Sequence, residues 1–179
     1  MRKLIGSVVL LTAVALVPAG SAAQRRAAAR PAPAPSQGPR FAAELNWSSD
    51  VDFGIGGRAV FPLQSLFPKT PLDGIVSFDY FFPSHPSGTS AHYWEINGNV
   101  AYRFRVPRSS LGPYAGGGLN IAHASASAGG VSVSDTKAGL NLLGGTTFKL
   151  KGSNLTPFVE ARGEIGGGKT FILTGGVRF

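Results

Sequence analysis

From Phe41 to Phe179 apolar and polar residues alternate along the chain, and clusters of turn-forming residues cut that alternation into eight runs. A period of two is the mark of a β-strand whose two faces meet different surroundings. In the first run Phe41, Ala43, Leu45 and Trp47 share one face, and Ala42, Glu44, Asn46 and Ser48 share the other. The second sets Phe53, Ile55, Gly57, Ala59, Phe61 and Leu63 against Gly54, Gly56, Arg58 and Val60, and the third sets Val76, Phe78, Tyr80 and Phe82 against Ser77, Asp79 and Phe81. The fourth is the cleanest: Trp94, Ile96, Gly98, Val100, Tyr102, Phe104 and Val106 oppose Glu95, Asn97, Asn99, Ala101, Arg103 and Arg105. Four further runs follow, around Ala115–Ile121, Ala138–Leu150, Val159–Ile165 and Phe171–Phe179.

The separators are SSDVD, FPKTPLDG, PSHPSGTS, VPRSSLGP, ASAGGVSVSD, KGSNLTP and GGGK, rich in the residues that make turns. Short links between consecutive strands favour antiparallel hairpins. Eight strands suffice to close a barrel that leaves no free edge. The expected fold is therefore all-β, a closed antiparallel up-and-down eight-stranded barrel over residues 41–179. Glycine, 25 of 179 residues, has no three-residue period, which excludes collagen, and 43% hydrophobic residues exclude a chain that is disordered throughout. With no cysteine there is neither a disulfide framework nor a thiolate metal site.

The first 23 residues have the layout of a secretory signal: Arg2 and Lys3, then an apolar stretch from Leu4 to Val17, then small residues at Ser21-Ala22-Ala23. That stretch is too short to span a bilayer as a helix, and no later run approaches the length required. Residues 24–40 (QRRAAARPAPAPSQGPR) hold four arginines and no acid, in a Pro-Ala alternation that favours an extended, disordered periplasmic linker. The formal charge of +8 sits mainly in these two segments, since residues 41–179 carry 11 basic and 9 acidic side chains. A nucleic-acid partner therefore loses its main support.

Two barrels fit the alternation. A soluble one turns its apolar face to a core. A membrane barrel turns it to lipid and encloses the polar face. Charges of both signs on the polar face suit a narrow lumen where they pair: Glu44, Arg58, Glu95, Arg103, Glu160, Arg162, Glu164 and Arg178 are the expected lumen network. Aromatics near both ends of the apolar strips, with Phe41 and Trp47 on the first and Trp94 and Phe104 on the fourth, match the two girdles of a spanning barrel. Glycines on both faces suit tight curvature and leave room for long inward side chains.

The ending FILTGGVRF, with GPYAGGGLN and TPFVEARGEIG, resembles segments of the small eight-stranded outer-membrane β-barrels of Gram-negative bacteria, of the OmpA and OmpX type. The resemblance implies a transmembrane barrel in the outer membrane, surrounded by lipid and lipopolysaccharide. It also implies handling by periplasmic chaperones and the barrel-assembly machinery, which reads an alternating carboxy-terminal signal, here Phe171, Leu173, Val177 and Phe179. It implies neither catalysis nor a cofactor. The links expected at the outer end are short, which argues against a receptor or adhesin. The leading expectation is a structural or interaction protein whose lumen is largely filled by side chains, not an open porin.

Two other classes compete. Lipid A deacylases are small outer-membrane barrels with a His-x-Ser pair, and His123 and Ser125 have that spacing. By parity the pair faces lipid while Asp135, the nearest acid that could orient the imidazole, faces inward, and Ala126 stands where that family carries Asn. The other is a soluble periplasmic lipocalin-like carrier, which needs the apolar faces inside. His85 and His92 read as solvated residues of one outer loop rather than metal ligands. GIGG at Gly54 and AGGG at Ala115 lack the helix and acidic residue of a dinucleotide site. The N-W-S at Asn46 lies within a strand and carries no glycosylation reading.

Overall fold

The computed structural model describes residues 38–166 and 169–179. The segments read as signal and linker lie outside the described residues apart from Gly38, Pro39 and Arg40. Eight strands follow in chain order: β1 Arg40–Ser48, β2 Asp52–Pro62, β3 Leu72–Phe81, β4 Thr89–Arg103, β5 Leu111–Ala128, β6 Val131–Phe148, β7 Thr156–Ile165 and β8 Lys169–Arg178. Each pairs antiparallel with its neighbours, and β1 pairs with β8 from Ala42↔Arg178 to Ser48↔Ile172, which closes the barrel. Closure leaves no free edge in the body of the barrel. Among the described residues no helix is long and apolar enough to cross a membrane.

The alternation sets the two faces as expected. Leu45, Phe53, Leu119 and Leu142 stand on the outer surface, Leu142 with 72% of its area exposed. Asp79 and Glu95, by contrast, are fully enclosed at 0%. Outward apolar residues and inward charged ones are the reverse of a soluble barrel. The lipocalin-like carrier needs the opposite arrangement.

One turn and its strands differ from the sequence reading. ASAGGVSVSD reads as a loop, yet the structure turns on Gly129 and Gly130 alone, with φ of 57° and 81°. A two-residue hairpin turn of this kind needs positive φ at both positions, which glycine adopts without steric cost. Pairing then runs without a break to Ala128↔Val131, and β5 and β6 reach 18 residues each. On either side the neighbours stop sooner: β3 meets β4 only as far as Phe81↔Tyr93, and β7 meets β6 only as far as Leu140↔Ile165. The ends of β4, β5 and β6 therefore form a three-stranded extension beyond one rim. At that rim the connections span 49–51, 82–88, 129–130 and 166–168, while those at the rim near the chain termini span 63–71, 104–110 and 149–155.

Candidate functional site

Seven of the inward positions at mid-height carry charges, and two guanidinium groups organise them. Arg58 of β2 reaches across the lumen to β7, donating Nη1 to Glu160 Oε2 at 2.8 Å and Nη2 to Glu160 Oε1 at 3.1 Å. Its Nε donates to Glu44 of β1. Arg162 of β7 donates Nε to Glu164 Oε1 at 2.8 Å, and its Nη2 reaches Glu95 Oε2 at 3.2 Å and Asp79 Oδ2 at 3.3 Å. Both side chains are 1% exposed, where an unpaired charge would be very costly. A planar guanidinium has five donors in a fixed fork, so one arginine can hold several carboxylates at once.

Neutral donors complete the network. Asp79 also accepts from Asn46 Nδ2 at 2.8 Å, Asn97 Nδ2 at 3.1 Å and Ser77 Oγ at 3.2 Å. Glu95 accepts from the Tyr93 hydroxyl at 2.7 Å, Glu160 from the Tyr114 hydroxyl at 2.8 Å and Glu164 from Asn120 Nδ2 at 2.9 Å. Asn141 bridges to Asn97 and Asn99, and Thr174 donates to Asn46 at 2.6 Å. All eight strands contribute a side chain. The inward asparagines are visible in the sequence at strand parity, but parity alone does not show that they feed carboxylates.

The expected lumen network divides in the structure. Glu44, Arg58, Glu95, Glu160, Arg162 and Glu164 meet at mid-height, whereas Arg103 and Arg178 lie nearer the termini. Arg103 Nε is 3.1 Å from Asp73 Oδ2, and Arg40 Nη2 is 3.6 Å from the same oxygen. Arg178 stacks on Phe158 at 5.2 Å and on Tyr114 at 5.4 Å. Between the two groups lies an apolar layer of Val60, Ile75, Ala101, Tyr114 and Leu143, all buried. These residues occupy inward positions, so the polar face is not polar throughout.

At the opposite rim a cavity of about 210 Å³ opens among Asp50, Tyr93, Asn120, Asp135, Lys137 and Glu164. Asp135 pairs with Lys137 at 3.2 Å. His123 and Ser125 lie on the outer face as parity requires. His123 stacks on Trp94 at 5.2 Å, and its Nδ1 is 2.8 Å from Thr136 Oγ1. The neighbour of the imidazole is thus a threonine, and the nearest acid in sequence, Asp135, points to the other face. His85 and His92 do not share one loop: His85 lies in 82–88, while His92 is on β4 with Nδ1 2.6 Å from the Tyr80 hydroxyl. Among the described residues no group of three or more His, Asp and Glu side chains is placed to hold a metal ion.

No family model matches the sequence, and no curated protein matches it. Solved structures do match. The N-terminal β-barrel domain of Pseudomonas aeruginosa OprF superposes with a TM-score of 0.62 at 16% identity, covering 79% of this chain and 95% of that one. Neisserial surface protein A (NspA) gives 0.61 at 20% identity, covering 78% and 94%. Ail, the attachment invasion locus protein of Yersinia pestis, gives 0.50 at 16% identity, covering 79% and 95%. The fold is that of the small eight-stranded outer-membrane β-barrels.

On an outer-membrane barrel the outward aromatics take on a definite arrangement. Phe41 and Phe104, with Phe61, Tyr102 and Phe179, cluster toward the rim that holds the termini. Trp47 and Trp94, with Phe53, Tyr80 and Phe82, cluster toward the other, where Trp94 stacks on Phe78 at 6.2 Å. The final-strand residues Phe171, Leu173, Val177 and Phe179 share the outward side.

Proposed function

We propose that the protein is an integral outer-membrane barrel with a structural or interaction role, exported by its N-terminal signal and closed to solute flow. One observation carries this reading: large apolar side chains cover the outside while charged ones are sealed within. Such an exterior is stable in hydrocarbon and aggregates in water. Lipid and lipopolysaccharide are then the partners of the belt. The basic, proline-rich segment 24–39 is a periplasmic spacer, and Arg40 already belongs to β1. Phe171, Leu173, Val177 and Phe179 serve as the carboxy-terminal signal presented to chaperones and the assembly machinery.

Two barriers in series support the closed lumen. One is the ionic network that spans the bore, and the other is the apolar layer of Val60, Ile75, Ala101, Tyr114 and Leu143. An eight-stranded barrel is only wide enough for its side chains to fill. The interior arrangement supports no catalytic step, and at His123 the imidazole is engaged by Thr136 and Trp94.

Gel mobility of unheated against heated protein in detergent, run beside membrane fractionation, tests the membrane reading. A heat-dependent band shift in the outer-membrane fraction is expected. An unshifted band in a soluble periplasmic pool would refute it. Planar bilayers test closure: large, stable currents would refute a sealed bore. Released acyl chains from lipid A, abolished by Ser125→Ala, would establish the enzymatic alternative.

A further inference from the structure

We infer that the mouth of the barrel beside the chain termini is a binding site for a soluble oxyanion of the phosphate class, held by Arg40, Arg103 and Arg178. The charge there does not balance. Three guanidinium groups, from β1, β4 and β8, lie within electrostatic range of a single carboxylate, Asp73. The surplus is two positive charges at one end of a narrow bore.

Hydrogen bonding does not balance either. Arg178 is only 5% exposed, and among the described residues no acid is within salt-bridge distance of it. Its Nε is buried and has no acceptor, and so are the Nε groups of Arg40 and Arg103. The Arg103 Nε is near Asp73 Oδ2 but is not directed at it, and Asp73 Oδ1 is itself buried without a donor. A buried donor with no acceptor is a standing cost, and in native structures such groups are usually matched by a ligand, an ion or water.

The mid-height carboxylates do not relieve this surplus. Phe158 and Tyr114 stand against the inner side of the Arg178 guanidinium and hold it by cation–π contact. Glu160 is taken by Arg58 and by the Tyr114 hydroxyl. Three orphaned Nε donors exceed the one orphaned acceptor, Asp73 Oδ1, so further acceptors must enter from the solvent at the mouth, where the Arg40 and Arg103 side chains remain 35% and 34% exposed. Guanidinium forks from three separate strands suit an anion with several acceptor oxygens directed apart, as in phosphate, because each fork can meet a different edge. Arg40, Arg103 and Arg178 hold inward strand positions and not lipid-facing ones, so the ligand is a soluble anion and not a headgroup of the surrounding bilayer.

The test is calorimetric titration of inorganic phosphate into the full-length chain, folded in a phosphate-free glucoside detergent at constant ionic strength in chloride. Saturable one-to-one binding is expected, with at least tenfold weakening in Arg103→Gln and in Arg178→Gln. Arg108→Gln, on the exposed link after β4, should bind as the parent does. Asp73→Asn removes the competing carboxylate and should bind more tightly than the parent, a change that a purely structural Asp73 would not produce. Heat-dependent gel mobility verifies that each variant is folded. If Arg178→Gln fails to fold, Arg40→Gln takes its place with the same expected loss. Absence of a saturable signal, undiminished binding in the arginine variants, or unchanged or weaker binding in Asp73→Asn would overturn the assignment.

Discussion

Replacing Arg162 by methionine removes the hub of the mid-height network while keeping most of the side-chain volume. Three carboxylates lose a charged donor: Glu164 at 2.8 Å, Glu95 at 3.2 Å and Asp79 at 3.3 Å. They do not suffer equally. Asp79 retains Asn46, Asn97 and Ser77, whereas Glu95 and Glu164 each retain one neutral donor, Tyr93 and Asn120. Removing one member of a buried, hydrogen-bonded ion pair costs about 3–5 kcal/mol, because the partner charge stays enclosed. That corresponds to a drop of roughly a hundredfold to a few thousandfold in the folding equilibrium. Reversible urea unfolding in lipid vesicles, followed by Trp47 and Trp94 fluorescence and by gel mobility, measures it. The internal control is Lys137→Met, whose side chain is 54% exposed and whose pair with Asp135 is worth no more than about 1 kcal/mol. Adding Glu95→Gln to Arg162→Met should restore part of the loss, since it removes one stranded charge. If Arg162→Met came within about 1 kcal/mol of the parent, the network would be incidental to stability and the reasoning would fail.

The belt predicts a depth-dependent penalty. Leu142→Arg, at mid-height and exposed to lipid, should destabilise the vesicle-folded barrel by about 2–4 kcal/mol, against about 0–1 for Leu150→Arg near the rim. A methyl at Gly116 would meet the β4 backbone, with Ala101 Cα only 2.6 Å away, so Gly116→Ala should abolish the gel shift. Gly98→Ala, with nothing within 4 Å of the new carbon, should leave the shift intact. Phe179→Ala should slow accumulation in the outer membrane of cells but spare refolding from urea into detergent, because the ring projects from the barrel at 64% exposure. Equal loss in both settings would mean that its role is packing.

Most of the fold is present in the alternation. The sides assigned to Leu45, Ile96, Glu95, Arg162 and Leu173 follow from parity once the apolar face is placed outward, and composition together with the carboxy-terminal pattern places it there. The partners are another matter. Arg58 meets Glu160 across 102 residues, and Arg162 meets Asp79 across 83. These pairs join β2 to β7 and β3 to β7, strands that are not neighbours. Their meeting depends on bore width and on the stagger of strands around the barrel, and no local pattern encodes either. The length of β5 and β6 is hidden for a different reason. Residues 122–134 are mostly alanine and serine, which contrast too weakly to display a period, and only Gly129-Gly130 betrays a tight turn.

The same weak contrast marks where the belt ends. Past Trp94, Ile121 and Ala138 the strand parity continues, but the chemistry exchanges sides. Ser125, Ser127, Ser132, Ser134 and Thr136 now occupy the outward positions, and Val131 and Val133 the axial ones. A lipid-facing serine row would sacrifice hydration with no return, so the exchange fixes the upper edge of the hydrocarbon contact at the tryptophan level. Height along the axis thus matters as much as side. The buried acids other than Asp73 concentrate at mid-height and the arginines without full partners at the rim of the termini. The Tyr114 and Phe158 rings stand between them, with Arg58 and Arg178 both held against Phe158 and Arg178 also against Tyr114. The separation of charge along the bore is therefore a consequence of the apolar layer, and a barrel with the same charges but Ala at 114 and 158 would let Arg178 descend to Glu160 and lose the cationic mouth.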